Sequence, residues 1–296
     1  MITKKAGTIL LNLENKQVGL VYRKTKDDYS FPKGHLEENE SLAECAIRET
    51  EEETLRSNHL LITKEIHVQK YVTPAGENVE NYTYIAIDDG PTTKDIPIKD
   101  QEILEWINFE DVEEKLSYDT LKELWRFKKE AIKEIFESNG SLTAAILTDL
   151  GICPTCYNKE NNEILYGDNS SKILYEDEHL ECFLVGNPRA PGHTAISSKK
   201  HYKDMMEIPD DLCKEIFIFA KKVMNILKEI YGSESVYLCT MCDGPMNHFH
   251  IQLIPRYENE KRGSKNFVKP RMEYVEDKEK INEIRNKLKT ISIYKF

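Results

Sequence analysis

Two polar motifs with different backbone periods constrain the fold of this chain more than any other feature. In the first, three glutamates within 49–53 are spaced i, i+3 and i+4, so that they share one face of a helix. In the second, His248, His250 and Gln252 alternate with apolar residues and therefore share one face of a strand. At 296 residues the chain exceeds the usual size of one domain, and each half is long enough to bury its own core. The sequence therefore predicts two domains.

The first motif begins with a turn and a helix start. Pro32 and Gly34 mark the turn, and Ser41 with Glu44 three residues later forms a capping box. The carboxylates that follow repel one another unless a cation lies among them. Mg²⁺ and Mn²⁺ favour such oxygen ligands and tolerate water and substrate phosphates in the same shell. The alternative interpretation is a solvated surface helix without a metal.

The stretch 31–53 resembles the Nudix box, Gly-x5-Glu-x7-Arg-Glu-U-x-Glu-Glu-x-Gly-U, where U is a bulky apolar residue. The match departs at its end, where Leu55 stands in place of the glycine and Arg56 in place of an apolar residue. We expect the missing glycine to alter how the helix ends. The resemblance implies an α/β/α sandwich and a metal-dependent hydrolase that acts on a nucleoside diphosphate-X or a dinucleoside polyphosphate.

The Nudix resemblance also implies roles for individual residues. A bound cation lowers the pKa of water from about 16 toward 7, and one of the box glutamates, or Glu102 in a later loop, would activate that water. A backbone carbonyl near Gly34 would complete the Mg²⁺ or Mn²⁺ site. Three later tyrosines, at 71, 82 and 84, are either strand packing residues or base-stacking residues. The implied site residues are Glu49, Glu52 and Glu53 as metal ligands, Glu52 and Glu53 as catalytic residues, and Arg48 and Lys33 as substrate-binding residues.

The second motif is accompanied by other distinctive stretches. Asn187-Pro-Arg-Ala-Pro-Gly-His193 and Ser197-Ser-Lys-Lys-His201 precede the strand with His248 and His250. Together they resemble the histidine triad superfamily, which implies an α+β fold. The resemblance also implies that His250 attacks the α-phosphate and carries the nucleotidyl group covalently. A neutral imidazole is both a good nucleophile and a good leaving group for phosphorus.

Gln252 stands where many superfamily members have a third histidine, a departure shared with the nucleotidyltransferase branch. Its amide still hydrogen-bonds a phosphoryl oxygen, so we include it among the catalytic residues. The substitution leaves open whether water, a phosphate or a sugar phosphate accepts the nucleotide. A basic run between Arg256 and Arg271 contains Lys261, Arg262, Lys265 and Lys269. It is either a solvated face or a phosphate-binding loop. The candidate substrate-binding residues of this half are Asn187, Arg256, Lys261 and Arg262.

The pair Cys153-Pro-Thr-Cys156 has the spacing of a zinc knuckle. A rival pair, Cys239 and Cys242, lies in a strand-like run, where residues three apart point to opposite faces. The superfamily resemblance implies that the first pair binds a structural zinc. The alternative is a set of reduced free thiols. The implied zinc ligands are Cys153, Cys156, His201 and His248.

Composition limits the partners and the compartment. The net charge of −11 argues against binding to nucleic acid polymers or anionic membranes, both of which favour basic surfaces. Seven cysteines, an odd number, do not suggest a disulfide framework, so we expect a reducing cytoplasm. No apolar run is long enough to span a bilayer. We expect small nucleotide partners and a homodimer through the histidine triad domain.

The order of predicted elements gives the domain boundaries. Residues 1–138 are predicted to form the α/β Nudix domain, 139–150 a connection, and 151–296 the α+β histidine triad domain. The sequence therefore predicts a bifunctional nucleotide enzyme. The alternative is a nucleotide-sensing protein in which a domain binds without turnover.

Overall fold

The chain forms two compact units, Met1–Ile152 and Cys153–Phe296. The computed structural model describes residues 2–73, 75–97, 102–161, 165–166, 170–242, 244–260, 269–275 and 277–290. Each unit has its own sheet, and each sheet is packed by helices of the same unit. The predicted combination of an α/β half and an α+β half is confirmed.

The first unit is built on a mixed eight-stranded sheet. Its long first strand pairs in parallel with the seventh and antiparallel with the second and fourth. The strands are β1 Ile2–Asn12, β2 Gln17–Arg23, β3 Asp28–Ser30, β4 Lys33–His35, β5 Arg56–Leu60, β6 His67–Val72, β7 Asn78–Pro91 and β8 Glu102–Asn108. The order along the main path of the sheet is β3-β2-β1-β7-β5. Strands β4, β6 and β8 pair with β1, β7 and β2, respectively.

The described residues of this unit form four α-helices. The first follows the predicted turn and packs on β1, where buried Cys45 and Ala46 contact a small apolar cluster that includes Ala6 and Tyr84. The third buries Trp125 and Phe136 on one face, as its apolar spacing predicts. The helices are α1 Leu42–Thr54, α2 Val112–Lys115, α3 Asp119–Glu137 and α4 Ala144–Leu150.

The structure corrects two expectations for this unit and decides one open alternative. Glu102 begins β8 instead of lying in a loop. The predicted connection 139–150 contains α4, which Thr143 caps and which packs on α3. Tyr84 is 3% exposed beneath α1, so it is a packing residue rather than a base-stacking one. The domain boundaries themselves stay a prediction.

The second unit is built on a five-stranded antiparallel sheet in the order β12-β13-β11-β10-β9. Strand β13 lies between β11 and β12, with Gln252 opposite Ala195 on one side and Cys239 on the other. The elements are α5 Pro154–Glu160, β9 Ile173–Glu176, β10 Leu180–Leu184, β11 Thr194–Ser198, α6 Asp210–Tyr231, β12 Ser235–Cys239, β13 His250–Arg256 and α7 Lys278–Lys289.

The two faces of β13 have different surroundings, as its alternating sequence predicts. Ile251 and Leu253 enter the apolar core together with Phe219 of α6 and Leu288 of α7. The opposite face carries His250 and Gln252. The rival cysteine pair is not on one strand, because β12 ends at Cys239. In the described part of the chain, no helix combines the length and the apolarity that crossing a membrane requires.

Candidate active sites and metal centre

Helix α1 of the first unit starts with the predicted capping box. The Glu44 amide donates to Ser41 Oγ at 3.2 Å, and the Ser41 amide donates to Glu44 Oε2 at 2.9 Å. The helix ends at Leu55, whose φ of 56° and ψ of 32° place it in the left-handed region that a glycine would favour. The expected change in helix ending is therefore not observed, because Leu55 adopts the backbone conformation of the glycine it replaces.

Arg48 joins the carboxylates of the box. Its Nε and Nη2 donate to the two oxygens of Glu40 at 2.7 and 2.9 Å, in the bidentate geometry that favours arginine over lysine. Its Nη1 lies 2.9 Å from Glu49 Oε1 and 3.4 Å from Glu52 Oε1. The contacts of Arg48 support an orienting role for the glutamates, and its predicted contact with substrate stays a prediction.

Glu53 lies where α1 meets the turn. The Lys33 amide donates to Glu53 Oε2 at 3.0 Å, which fixes the carboxylate against the Pro-Lys-Gly turn. Burial raises the pKa of the Glu53 carboxyl, and the Lys33 charge partly opposes that rise. Burial also lowers the pKa of the Lys33 ammonium. Glu102 contributes to the raised pKa of Glu53, so β8 brings a fourth carboxylate into the electrostatic range of the site.

Gly34 is required by the close approach of Glu49. A Cβ atom at Gly34 would lie only 1.9 Å from Cδ of Glu49. Glu49 is 8% exposed, so it has little room to move away. The glycine of the motif therefore allows the turn to pack directly against Glu49, the first of the three glutamates.

The oxygen donors of this site fit a hard divalent cation in chemistry. Arg48 holds Glu49 and Glu52, and the Lys33 amide holds Glu53, so all three carboxylates are oriented by protein contacts. The oxygen atoms of these carboxylates lie farther from one another than the ligand atoms of the cysteine and histidine cluster in the second unit. Among the described residues, that cluster is the one close group of metal-ligating side chains.

The histidine site of the second unit is a directional chain of hydrogen bonds. The Arg189 amide donates to His193 Nδ1 at 3.1 Å, so His193 Nε2 carries the proton and donates to Gln252 Oε1 at 3.1 Å. The Gln252 amide nitrogen then faces His250 Nε2 at 3.3 Å. On the other side of its ring, His250 Nδ1 donates to the His248 carbonyl at 3.0 Å.

This series of hydrogen bonds leaves His250 Nε2 as the unprotonated ring nitrogen. Because a carbonyl oxygen only accepts, Nδ1 of His250 must hold the proton of the neutral ring. Burial lowers the pKa of His193 to about 4, so His193 is neutral near pH 7 and keeps the orientation of the chain. The sequence motif alone assigns no role to His193, because only the pairing of β11 with β13 places it beside Gln252.

The four predicted zinc ligands lie together, with all four ligand atoms within 4.8 Å of one another. Sγ of Cys156 lies 3.5 Å from His201 Nδ1 and 3.4 Å from His248 Nδ1, and Cys153 Sγ lies 3.7 Å from His248 Nδ1. Zinc bonds of about 2.0–2.3 Å in a tetrahedron place ligand atoms roughly 3.3–3.8 Å apart, so the cluster fits the ion.

The surroundings of the cluster also fit zinc. His248 Nε2 donates to the Ser198 carbonyl at 2.7 Å, which leaves Nδ1 free of a proton for a metal. The side-chain hydrogen bond from Cys156 and the neighbouring His248 lower the pKa of Cys153, which favours the thiolate. Cys153 stands at the N-cap position of α5 without a side-chain capping hydrogen bond, and Pro154 occupies the first helical position. This short helix was not predicted.

The remaining predicted substrate residues differ in their surroundings. Asn187 is exposed, in a loop at the start of the motif that ends at His193. Arg256 is 3% exposed and forms an ion pair with Glu234, so its contacts are structural rather than substrate-directed. Lys261 and Arg262 lie outside the described residues.

Comparisons with known proteins find a family match in each half of the chain. The model of the HIT domain matches residues 167–259. An uncharacterised HIT-like protein from Methanocaldococcus jannaschii is 36% identical over 102 residues, which are 33% of this chain and 78% of that protein. The chain belongs to the HIT family. The model of the NUDIX domain matches residues 1–134, so a NUDIX domain precedes the HIT domain and both sequence resemblances are confirmed.

Two other similarities involve proteins with an assigned activity in their names. An adenylylsulfatase of Arabidopsis thaliana is 29% identical over 102 residues, covering 33% of this NUDIX–HIT chain and 52% of that protein. The solved structure of a NUDIX hydrolase from Nitrosomonas europaea is 15% identical, with a TM-score of 0.37, and covers 50% of this chain and 96% of that chain.

Proposed function

We propose that this NUDIX–HIT protein is a bifunctional nucleotide enzyme. Its NUDIX domain would hydrolyse a phosphoanhydride bond of a nucleoside diphosphate-X or a dinucleoside polyphosphate with Mg²⁺ or Mn²⁺. Its HIT domain would transfer a nucleotidyl group through His250 to water or to a phosphate-bearing acceptor. None of the seven cysteines, all of which lie in the described residues, forms a disulfide, which supports a reducing compartment such as the cytoplasm.

The observation that carries the HIT proposal is the unprotonated Nε2 of His250. A nucleophile must present a lone pair, and the hydrogen bond from Nδ1 to the His248 carbonyl supplies the tautomer that does so. In the first step Nε2 forms a bond to the α-phosphorus, and the bond from phosphorus to the leaving group breaks. In the second step an acceptor oxygen attacks phosphorus and the P–N bond breaks. Gln252, oriented by His193, donates its amide proton to a phosphoryl oxygen.

In the NUDIX domain, Glu49, Glu52 and Glu53 would hold the divalent cation, which supplies Lewis acidity and an activated water. Arg48 orients Glu49 and Glu52, and the Lys33 amide orients Glu53. One of these glutamates, Glu52 or Glu53 among them, or else Glu102, would take the proton from the attacking water; the charge of Glu102 acts on Glu53, so Glu102 is near the site. The lysine side chain would contact substrate phosphates.

In the HIT domain, Cys153, Cys156, His201 and His248 would hold a structural zinc. The ion would connect the start of the domain to His248, two residues before β13, and so fix the backbone carbonyl that selects the His250 tautomer. Asn187, with Lys261 and Arg262, stays a candidate for substrate contact. The phosphate or sugar-phosphate acceptor and the homodimer stay predictions.

The test of the HIT proposal is an adduct trap on the whole chain. Incubation with a labelled dinucleotide or NDP-sugar is followed by acid quench, then by chases with water, phosphate and hexose phosphate. We expect an adduct that disappears in His250→Asn and that phosphate acceptors clear faster than water. Equal clearance by all three chases indicates a plain hydrolase. A protein that binds nucleotides tightly but forms no adduct would be a sensor, and the covalent mechanism would be wrong.

A further inference from the structure

The segment 269–272, at the end of the basic run, is hydrogen-bonded to the loop 186–189 beside the histidine site. Arg271 Nη1 donates to the carbonyls of Gly186 at 3.3 Å and Asn187 at 3.2 Å. The Met272 amide donates to the Pro188 carbonyl at 2.9 Å. In the reverse direction, the Arg189 guanidinium donates to the carbonyl of Lys269. The segment 269–272 and the loop 186–189 are therefore held together by hydrogen bonds donated from both sides.

The same loop is hydrogen-bonded directly to the series His193, Gln252 and His250. The Arg189 amide donates to His193 Nδ1, and His193 is linked through Gln252 to His250. Burial is the main cause of the lowered pKa of His193, and the charges of Arg271 and Arg189 lower it further. Both guanidinium charges are thus close enough to act on the residue that orients Gln252.

Neither of these two arginines has a carboxylate partner within 4 Å in the ranges that the structure describes. Lys269, from the same segment, is neutralised by an ion pair with Glu260. Arg189 Nε is buried and has no hydrogen-bond partner among the described residues, and Arg271 is exposed. Other arginines of the chain do pair with carboxylates, namely Arg23, Arg48, Arg56, Arg126 and Arg256.

Two uncompensated guanidinium groups beside a neutral imidazole are unusual in a chain of net charge −11. A buried donor without a partner costs free energy, and an anion would satisfy it with a charge-assisted hydrogen bond. We propose that Arg271 and Arg189 form an anion subsite that selects HIT-domain substrates by the charge of the group leaving the α-phosphorus. This inference rests on the proposed role of His250.

The chemistry of the first step explains the selection. When His250 Nε2 bonds to the α-phosphorus, the leaving group departs with the electron pair of the broken bond. A sulfate or phosphate leaving group carries negative charge both before and after departure, so nearby guanidinium groups stabilise its binding and its release. A neutral amine gains nothing from these charges. In the transfer direction, the same subsite would hold a phosphate-bearing acceptor.

The test compares two nucleotides that share one nucleoside monophosphate. Adenosine 5′-phosphosulfate releases sulfate, whereas adenosine 5′-phosphoramidate releases ammonia. In the whole chain we expect Arg271→Gln to lower kcat/KM for the phosphosulfate about tenfold or more, the size expected for a charge-assisted hydrogen bond, and to change the phosphoramidate less than about twofold. Arg189→Gln should act in the same direction. Arg285→Gln is the matched control, because Arg285 also donates to backbone carbonyls, those of Ser170, Ser171 and Ile173.

A binding arm separates this inference from the proposed function. Equilibrium binding of both nucleotides is measured on His250→Asn with and without Arg271→Gln. Selective loss of phosphosulfate binding, which weakens with added salt, supports the subsite even if no turnover is found. Equal loss for both nucleotides, or no loss for either, overturns the subsite while leaving an adduct on His250 intact.

Discussion

At the scale of single residues, the HIT site depends on protons whose positions the backbone decides. The amide of Arg189 and the carbonyl of His248 fix the two ends of the chain that runs through His193, Gln252 and His250. Neither end is a catalytic side chain. The nucleophilic state of His250 is therefore a property of the folded loop and strand, and it needs no charged partner.

The buried His193 should make the stability of the HIT domain depend on pH. Its folded pKa of about 4 lies below the ordinary value of 6.5, so the unfolded chain binds more protons between these values. The stabilising effect is complete above about pH 6.5 and is lost as pH falls toward 4. We expect the free energy of unfolding of the HIT domain to be about 2 kcal/mol lower at pH 5 than at pH 7.

Hydrogen exchange of the β11 and β13 amides, corrected for intrinsic rates, measures this effect. His193→Asn should flatten the pH dependence by about that amount, since asparagine does not titrate. An unchanged slope in the variant would show that other groups cause the acid sensitivity.

At the scale of elements, the sequence predicts the features that a few consecutive residues determine. It does not predict the elements that depend on pairing or packing with distant residues. The capping box of α1 and the alternation along β13 are contained in a few consecutive residues, so both were found. Strand β5 reads Arg-Ser-Asn-His-Leu, without apolar alternation, and exists because its backbone pairs with β7. Helices α4 and α5 span only seven residues each, too short to be stable without packing. The sequence also gave no sign that Arg256 binds Glu234.

The α1 cap offers a stability prediction. Ser41→Ala removes the acceptor for the Glu44 amide and should destabilise the NUDIX domain by about 1 kcal/mol, whereas Ser41→Gly should cost only a few tenths. Both tryptophans, Trp106 and Trp125, lie in this unit, so the fluorescence midpoint in urea reports on it alone. Equal losses for the two variants would mean that the serine hydroxyl is not the source of the stability.

The zinc cluster joins the start of α5 to His248, two residues before β13, and gives a second element-scale prediction. Purified protein should contain about one zinc per chain, and Cys153→Ser should lower the stability of the HIT domain, because metal-binding free energy contributes to folding. Cys213→Ser, which changes a cysteine of α6 outside the cluster, should leave the zinc content unchanged. The tryptophan transition of the NUDIX domain should be the same in both variants. Protein purified without chelators that contains no zinc would contradict the prediction.

At the scale of the whole molecule, each candidate site is complete within one unit. The glutamates, Arg48 and Lys33 lie in Met1–Ile152, whereas the histidine chain and the zinc cluster lie in Cys153–Phe296. The two proposed chemistries also differ in kind, because one needs a divalent cation on oxygen ligands and the other needs a nucleophilic imidazole. A change in one site should therefore leave the chemistry of the other intact.

The most direct test of two separate activities is a crossed comparison of Glu53→Gln and His250→Asn in the whole chain. Each variant is assayed with diadenosine tetraphosphate and an NDP-sugar, with and without Mg²⁺, for hydrolysis and for the acid-quenched adduct. Because a metal ion supplies several kcal/mol to such reactions, we expect Glu53→Gln to lower Mg²⁺-dependent hydrolysis roughly 100-fold or more while adduct formation stays within about twofold. His250→Asn should abolish the adduct and spare the Mg²⁺-dependent hydrolysis. If either variant removes both activities, or neither removes any, the account of two independent sites is wrong.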